Sequence, residues 1–113
     1  MLCGDALPAA LLGGLLETVG WHPVFAEPDE PPREAVRRLR PTLVLADCGY
    51  EPAWSGAFLG PARMLGVPVI VIGTARAEDA VRRLAAEHEL RSLLVPTDAA
   101  TLERCLAEAL EAR

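Results

Sequence analysis

Residues 43–47 read Leu-Val-Leu-Ala-Asp, a wholly apolar run that stops on a carboxylate, and residues 67–74 echo it as Val-Pro-Val-Ile-Val-Ile-Gly-Thr. Neither run alternates apolar with polar residues, so each is expected to be a strand buried on both faces, as in a parallel sheet covered by helices. A third run, Ser92-Leu93-Leu94-Val95, stops at Pro96. Between and after these runs the period changes. Ala80, Val81, Leu84 and Ala85 share one helical face over residues 78–88, and Leu102, Cys105, Leu106 and Leu110 share another near the carboxyl end.

Working toward the amino end, residues 24–26 (Val-Phe-Ala) form a brief apolar run, and Pro32 suits the first position of a helix that carries Ala35, Val36 and Leu39. Leu11, Leu12, Leu15, Leu16 and Val19 recur at helical spacing before Gly20, and residues 1–3 are expected to end a short first strand. Only the stretch from Asp47 to Gly66 resists this reading. Its Pro52, Gly56, Gly60 and Pro61 leave room for a short or broken helix. The expectation is one α/β domain over residues 1–113. It is a flavodoxin-like, doubly wound fold with five parallel strands in the order 2-1-3-4-5 between two helix layers.

With 113 residues, 51% of them hydrophobic, the chain can bury one continuous core without disulfides or metals. All 11 basic residues are arginine, the net charge is −5, and the arginines are scattered among acids. No basic stripe exists to neutralise a phosphate backbone, so nucleic-acid binding is not expected. The longest apolar stretch, residues 6–16, is broken by Pro8 and Gly13-Gly14 and is too short to span a bilayer core of about 30 Å. With no basic residue before that stretch and no cleavage pattern after it, the expected compartment is the cytoplasm. Three cysteines, Cys3, Cys48 and Cys105, lack CxxC spacing and are expected to be reduced thiols.

In an open α/β sheet, ligands gather beyond the carboxyl ends of the strands, where Asp47, Thr74 and Pro96 are expected. A carboxylate leaving a rigid apolar strand can serve as nucleophile or metal ligand; it can equally cap the turn that follows.

The segment RPTLVLADCGY at residues 40–50 resembles the third strand of the receiver domains of bacterial response regulators, and VPVIVIGTA at residues 67–75 resembles their fourth. Their fifth strand and final helix are similar to LLVPTDAATLERCLAEAL at residues 93–110, and their first-helix to second-helix portion to residues 15–41. The likeness spans nearly the whole chain. It implies that Asp47 accepts a phosphoryl group, that the Thr74 hydroxyl binds a phosphoryl oxygen, and that Gly49 offers a carbonyl to Mg²⁺ beside Asp47. The acidic pair that would complete a Mg²⁺ site falls on Cys3 and Gly4, with Asp5 one residue beyond, so Asp5 is the remaining candidate ligand. The family's lysine falls on Val95, and no lysine exists elsewhere to replace it. Arg76 is the nearest cation in sequence to Thr74, but a guanidinium differs in shape from an ammonium. The family's signalling aromatic falls on Ser92.

The resemblance therefore implies a stand-alone, atypical receiver domain of two-component phosphorelay signalling. It would act on a partner protein, either a sensor kinase or a downstream target, and would have no enzymatic activity beyond self-phosphorylation and dephosphorylation at Asp47. The expected docking face, also a candidate homodimer face, comprises residues 78–91 and 101–113. The competing class is a flavodoxin-like domain that binds a nucleotide or flavin, although CGDALPA at residues 3–9 lacks a phosphate-cradling run of glycines. A hydrolase built on Asp47 would lack a second carboxylate at Gly49. Cys3 and Cys48 follow strands expected to be neighbours, which allows a redox pair, whereas His22 and His88 have no ligand-spaced companions. Trp54 is expected near the rim of the crevice.

Overall fold

The computed structural model describes residues 6–27, 29–54 and 56–111, which form three strands and five helices, alternating from the second helix onward. Helix α1 (Ala6–Thr18) is followed by α2 (Pro32–Leu39), β1 (Val44–Asp47), α3 (Gly56–Met64), β2 (Val69–Thr74), α4 (Glu78–His88), β3 (Arg91–Val95) and α5 (Ala99–Glu111). Single 3-10 turns, Glu51–Trp54 and Ala75–Ala77, precede α3 and α4. The strands are parallel in the order β1-β2-β3, with Val44 opposite Val69, Asp47 opposite Ile72, Ile70 opposite Arg91 and Thr74 opposite Val95.

The alternation of side chains along the strands builds two apolar layers. Leu45, Ile70, Ile72 and Leu93 pack with Leu12 and Leu16 of α1 and with Leu102 and Leu106 of α5. On the opposite side, Val44, Ala46 and Val69 pack with Val36 of α2 and with Phe58, Leu59 and Ala62 of α3. Helices thus cover both sides of the sheet. Ile70 and Leu102 are wholly buried and Leu106 nearly so, each contributing roughly 1.5–3 kcal/mol of transfer free energy.

The helix ends follow their local chemistry. Pro32 opens α2 at a position whose N–H has no partner inside a helix, and Arg40 ends it in the left-handed conformation, φ 48°, with its N–H on the Val36 carbonyl. Glu89 closes α4 in the same way, φ 54°, on Ala85. At α5, Asp98 Oδ1 accepts the Thr101 N–H at 2.7 Å, a side-chain cap for the first turn.

One expectation changes. Five strands were expected and three form among the described residues. Residues 24–26 run without regular structure, with Phe25 45% exposed, and residues 1–3 lie outside the described part. The run at 24–26 is short, and the strand expected to pair with it falls on residues 1–3. Val24 and Ala26 instead line a cavity of about 220 Å³ with Leu16, Trp21, Val36, Leu43 and Val44. For α3 the short alternative holds: it runs nine residues and continues through Pro61 without a break. Burial of Phe58, Leu59 and Ala62 along one face offsets the hydrogen bond that proline removes.

Candidate functional site

β1 carries Asp47 to the carboxyl edge of the sheet, and the main-chain ladder makes one further contact there, Cys48 N–H to the Ile72 carbonyl at 2.8 Å. Beyond Cys48 the loop is held by local bonds. Asp47 Oδ2 accepts the Gly49 N–H at 2.9 Å, the Asp47 carbonyl accepts the Tyr50 N–H at 3.0 Å, and the Tyr50 carbonyl accepts the Ala53 N–H at 3.1 Å. The turn-capping reading of Asp47 is therefore realised, with one carboxylate oxygen engaged by the loop. A Cβ on Gly49 would stand 3.1 Å from that oxygen, so the turn is built around a residue without a side chain.

Thr74 ends β2, exposed at the same edge. Because Asp47 stands opposite Ile72, Thr74 lies two residues further along the neighbouring strand, about 8 Å away between Cα atoms from ordinary strand spacing. Strand parity puts Asp47 with Leu45, and Thr74 with Ile70 and Ile72, toward the side that carries α1 and α5. The two residues with an expected phosphoryl role thus share one edge and one face. Arg76 is exposed in the turn that leads into α4. Val95, at the lysine position, is half-buried against the α1 and α5 layer.

Among the described residues, no three His, Cys, Asp or Glu side chains gather as metal ligands would. Asp47 and Gly49 supply one carboxylate and one carbonyl, short of the near-octahedral oxygen set that Mg²⁺ prefers, and Asp5 lies outside the described residues.

Cys48 packs beside Gly73, where a Cβ would stand 3.0 Å from its Sγ. Burial pushes the Cys48 thiol up from its ordinary value, and the neighbouring Asp47 charge adds to the rise. Cys105 on α5 is also pushed up, by burial and then by Glu108. Both are protonated at neutral pH, which disfavours thiolate chemistry. Cys3, the other half of the expected redox pair, lies outside the described residues.

Sequence reasoning missed the part played by Trp54. Its Nε1–H donates to the Asp47 carbonyl at 3.0 Å, and its ring stacks on His88 with centroids 6.1 Å apart and planes 19° from parallel. No local motif signals a side-chain to main-chain bond across seven residues, although an aromatic soon after a strand-terminal Asp was the available hint.

Compared with known proteins, the sequence matches no family model, and no curated relative matches it. No helix among the described residues is long and apolar enough to cross a membrane.

Proposed function

We propose that this chain is a receiver-like signalling module that works by docking to a partner protein, with Asp47 as its phosphoryl acceptor. The observation that carries this reading is the placement of Asp47 and Thr74 on adjacent parallel strands, at one edge and on one face. In the reaction, a carboxylate oxygen of Asp47 attacks phosphorus of a small phosphodonor, and the P–O bond to the leaving group breaks with its electron pair. An acyl phosphate forms, and the Thr74 hydroxyl is positioned to donate to one of its oxygens.

Two features make the acceptor inefficient in this proposal. Val95 supplies no cation for the incoming phosphoryl group, and the Gly49 N–H already occupies Asp47 Oδ2. These same features favour a second reading, a module that works purely as a binding surface, with Asp47 as a turn cap. In both readings the fold is completed to five strands in the order 2-1-3-4-5, and the docking face is built from α4, β3 and α5. Arg82, Arg83, Arg91, Ser92, Arg104 and Glu108 are exposed there. The partner is a sensor kinase, a downstream protein or a second copy, and the compartment is the cytoplasm.

Intact-mass spectrometry after incubation with a small-molecule phosphodonor, with and without Mg²⁺, tests the acceptor. A gain of about 80 Da that vanishes in Asp47→Asn supports it. No adduct under either condition removes the phosphoryl step and leaves the binding-surface reading.

A further inference from the structure

The indole of Trp54 touches two parts of the chain that are far apart in sequence: the main chain at Asp47 and the last residue of α4. His88 is itself anchored, because its carbonyl accepts a guanidinium N–H from Arg63 at the end of α3. Trp54 is half-buried against the α2 and α3 layer together with Tyr50 and Leu90, so its ring is packed rather than free in solvent.

We infer that Trp54 is a positioning residue for Asp47, and that His88 is the backstop that holds the indole in bonding orientation. An indole donates only along its ring plane, so the bond to the Asp47 carbonyl survives only while that plane is fixed. The offset stack on His88 fixes it. Past the last sheet contact at Cys48, short-range bonds hold the loop, the Trp54 bond to the Asp47 carbonyl is among them, and through its stack on His88 the same indole also touches α4. A shift of the α4 carboxyl end therefore reaches the main chain of Asp47, and a shift at Asp47 reaches α4. The inference concerns the placement of Asp47 and holds whether or not that residue takes a phosphoryl group.

Amide-resolved hydrogen exchange by NMR on the full chain tests it. In the unmodified protein, the Trp54 indole N–H is expected to exchange at least fivefold more slowly than that of Trp21, the factor one ordinary net hydrogen bond supplies. Equal rates would overturn the inference without any variant being made. His88→Ala is expected to speed exchange at the Trp54 indole and at the Tyr50 and Ala53 amides by about fivefold, while the β2 amides keep their rates. His88→Phe, which keeps a flat ring for the stack, is expected to restore the slow rates. Acceleration confined to the end of α4 in His88→Ala, or a folded His88→Phe that fails to restore the loop, would show that His88 does not hold the indole.

Discussion

Gly73 of β2 lies so close to α4 that a Cβ placed there would stand 2.5 Å from Val81 Cγ2 and 3.0 Å from Cys48 Sγ. Val81 is almost wholly buried and cannot swing away, so the helix must move if the glycine gains a side chain. Gly73→Ala is expected to destabilise the protein by about 1–3 kcal/mol, the usual cost of overpacking. Urea denaturation reads this as a lower midpoint at unchanged slope. An unchanged midpoint would mean that α4 is free to lift off the sheet.

The cap at α5 makes a second prediction. Asp98→Ala removes the acceptor for the Thr101 N–H and is expected to lower the melting temperature, whereas Asp98→Asn keeps an acceptor and loses less. Thermal unfolding of the three proteins should rank them in that order. The Thr101 hydrogen bonds also hold the Asp98 carboxyl below its ordinary range. The cap's contribution is therefore present above the unfolded-state value and is lost as pH falls through the lower folded-state value.

Arg38, in the last turn of α2, grips Glu30, which precedes that helix, through two hydrogen bonds of 2.7 Å each, and Glu30 Oε1 also accepts the Glu27 N–H at 3.1 Å. The Arg38 bonds chiefly, then the Glu27 N–H, lower the Glu30 carboxyl from 4.5 to about 2. Because the folded value lies below the unfolded one, the clasp stabilises above about pH 4.5 and is lost as pH falls toward 2. The pair is at the surface, so salt should weaken it. Side-chain carboxyl titration by NMR should return Glu30 to the ordinary range in Arg38→Ala. A Glu30 titration unchanged by that substitution would exclude the ion pair in solution.

Cys48 reports on the charge of Asp47. Burial is the larger cause of its raised thiol value and the Asp47 carboxylate the second, so Asp47→Asn is expected to lower that value without bringing it to the ordinary one. Alkylation rates followed against pH by mass spectrometry should shift toward lower pH at Cys48 and stay fixed at Cys105. Equal shifts at both thiols would point to a general loosening of the fold instead.

The three described strands and helices α1, α2, α4 and α5 were legible because each has one dominant signal. The wholly apolar runs at 43–46 and 67–72 form β1 and β2 within two residues of the expected bounds, and Glu78–His88 forms α4 as its periodicity requires. The edge position of Asp47 and Thr74 was legible for the same reason, since each ends such a run. Helix α3 was obscured by Gly60 and Pro61, whose local cost is outweighed by tertiary burial of Phe58, Leu59 and Ala62, which no local signal announces. Residues 24–26 carry an apolar signal too short to fix an element by itself, and the strand expected beside them falls on residues 1–3, outside the described part. The tie from Trp54 to Asp47 and His88 depends on where α4 ends in space and could not be read from spacing.

β3 stands at the end of the described sheet order, and its first two residues, Arg91 and Ser92, are exposed, with Arg91 tethered to Glu108 of α5 at 3.1 Å. A flat apolar edge would be a template for copy-on-copy zippering of backbones. Here a bulky cation, held by the helix behind it, stands where an incoming strand would have to begin. Sheet extension through this edge therefore meets a charge first. Charge on the edge residue, rather than a covering element, thus guards this end of the described sheet against pairing with another strand.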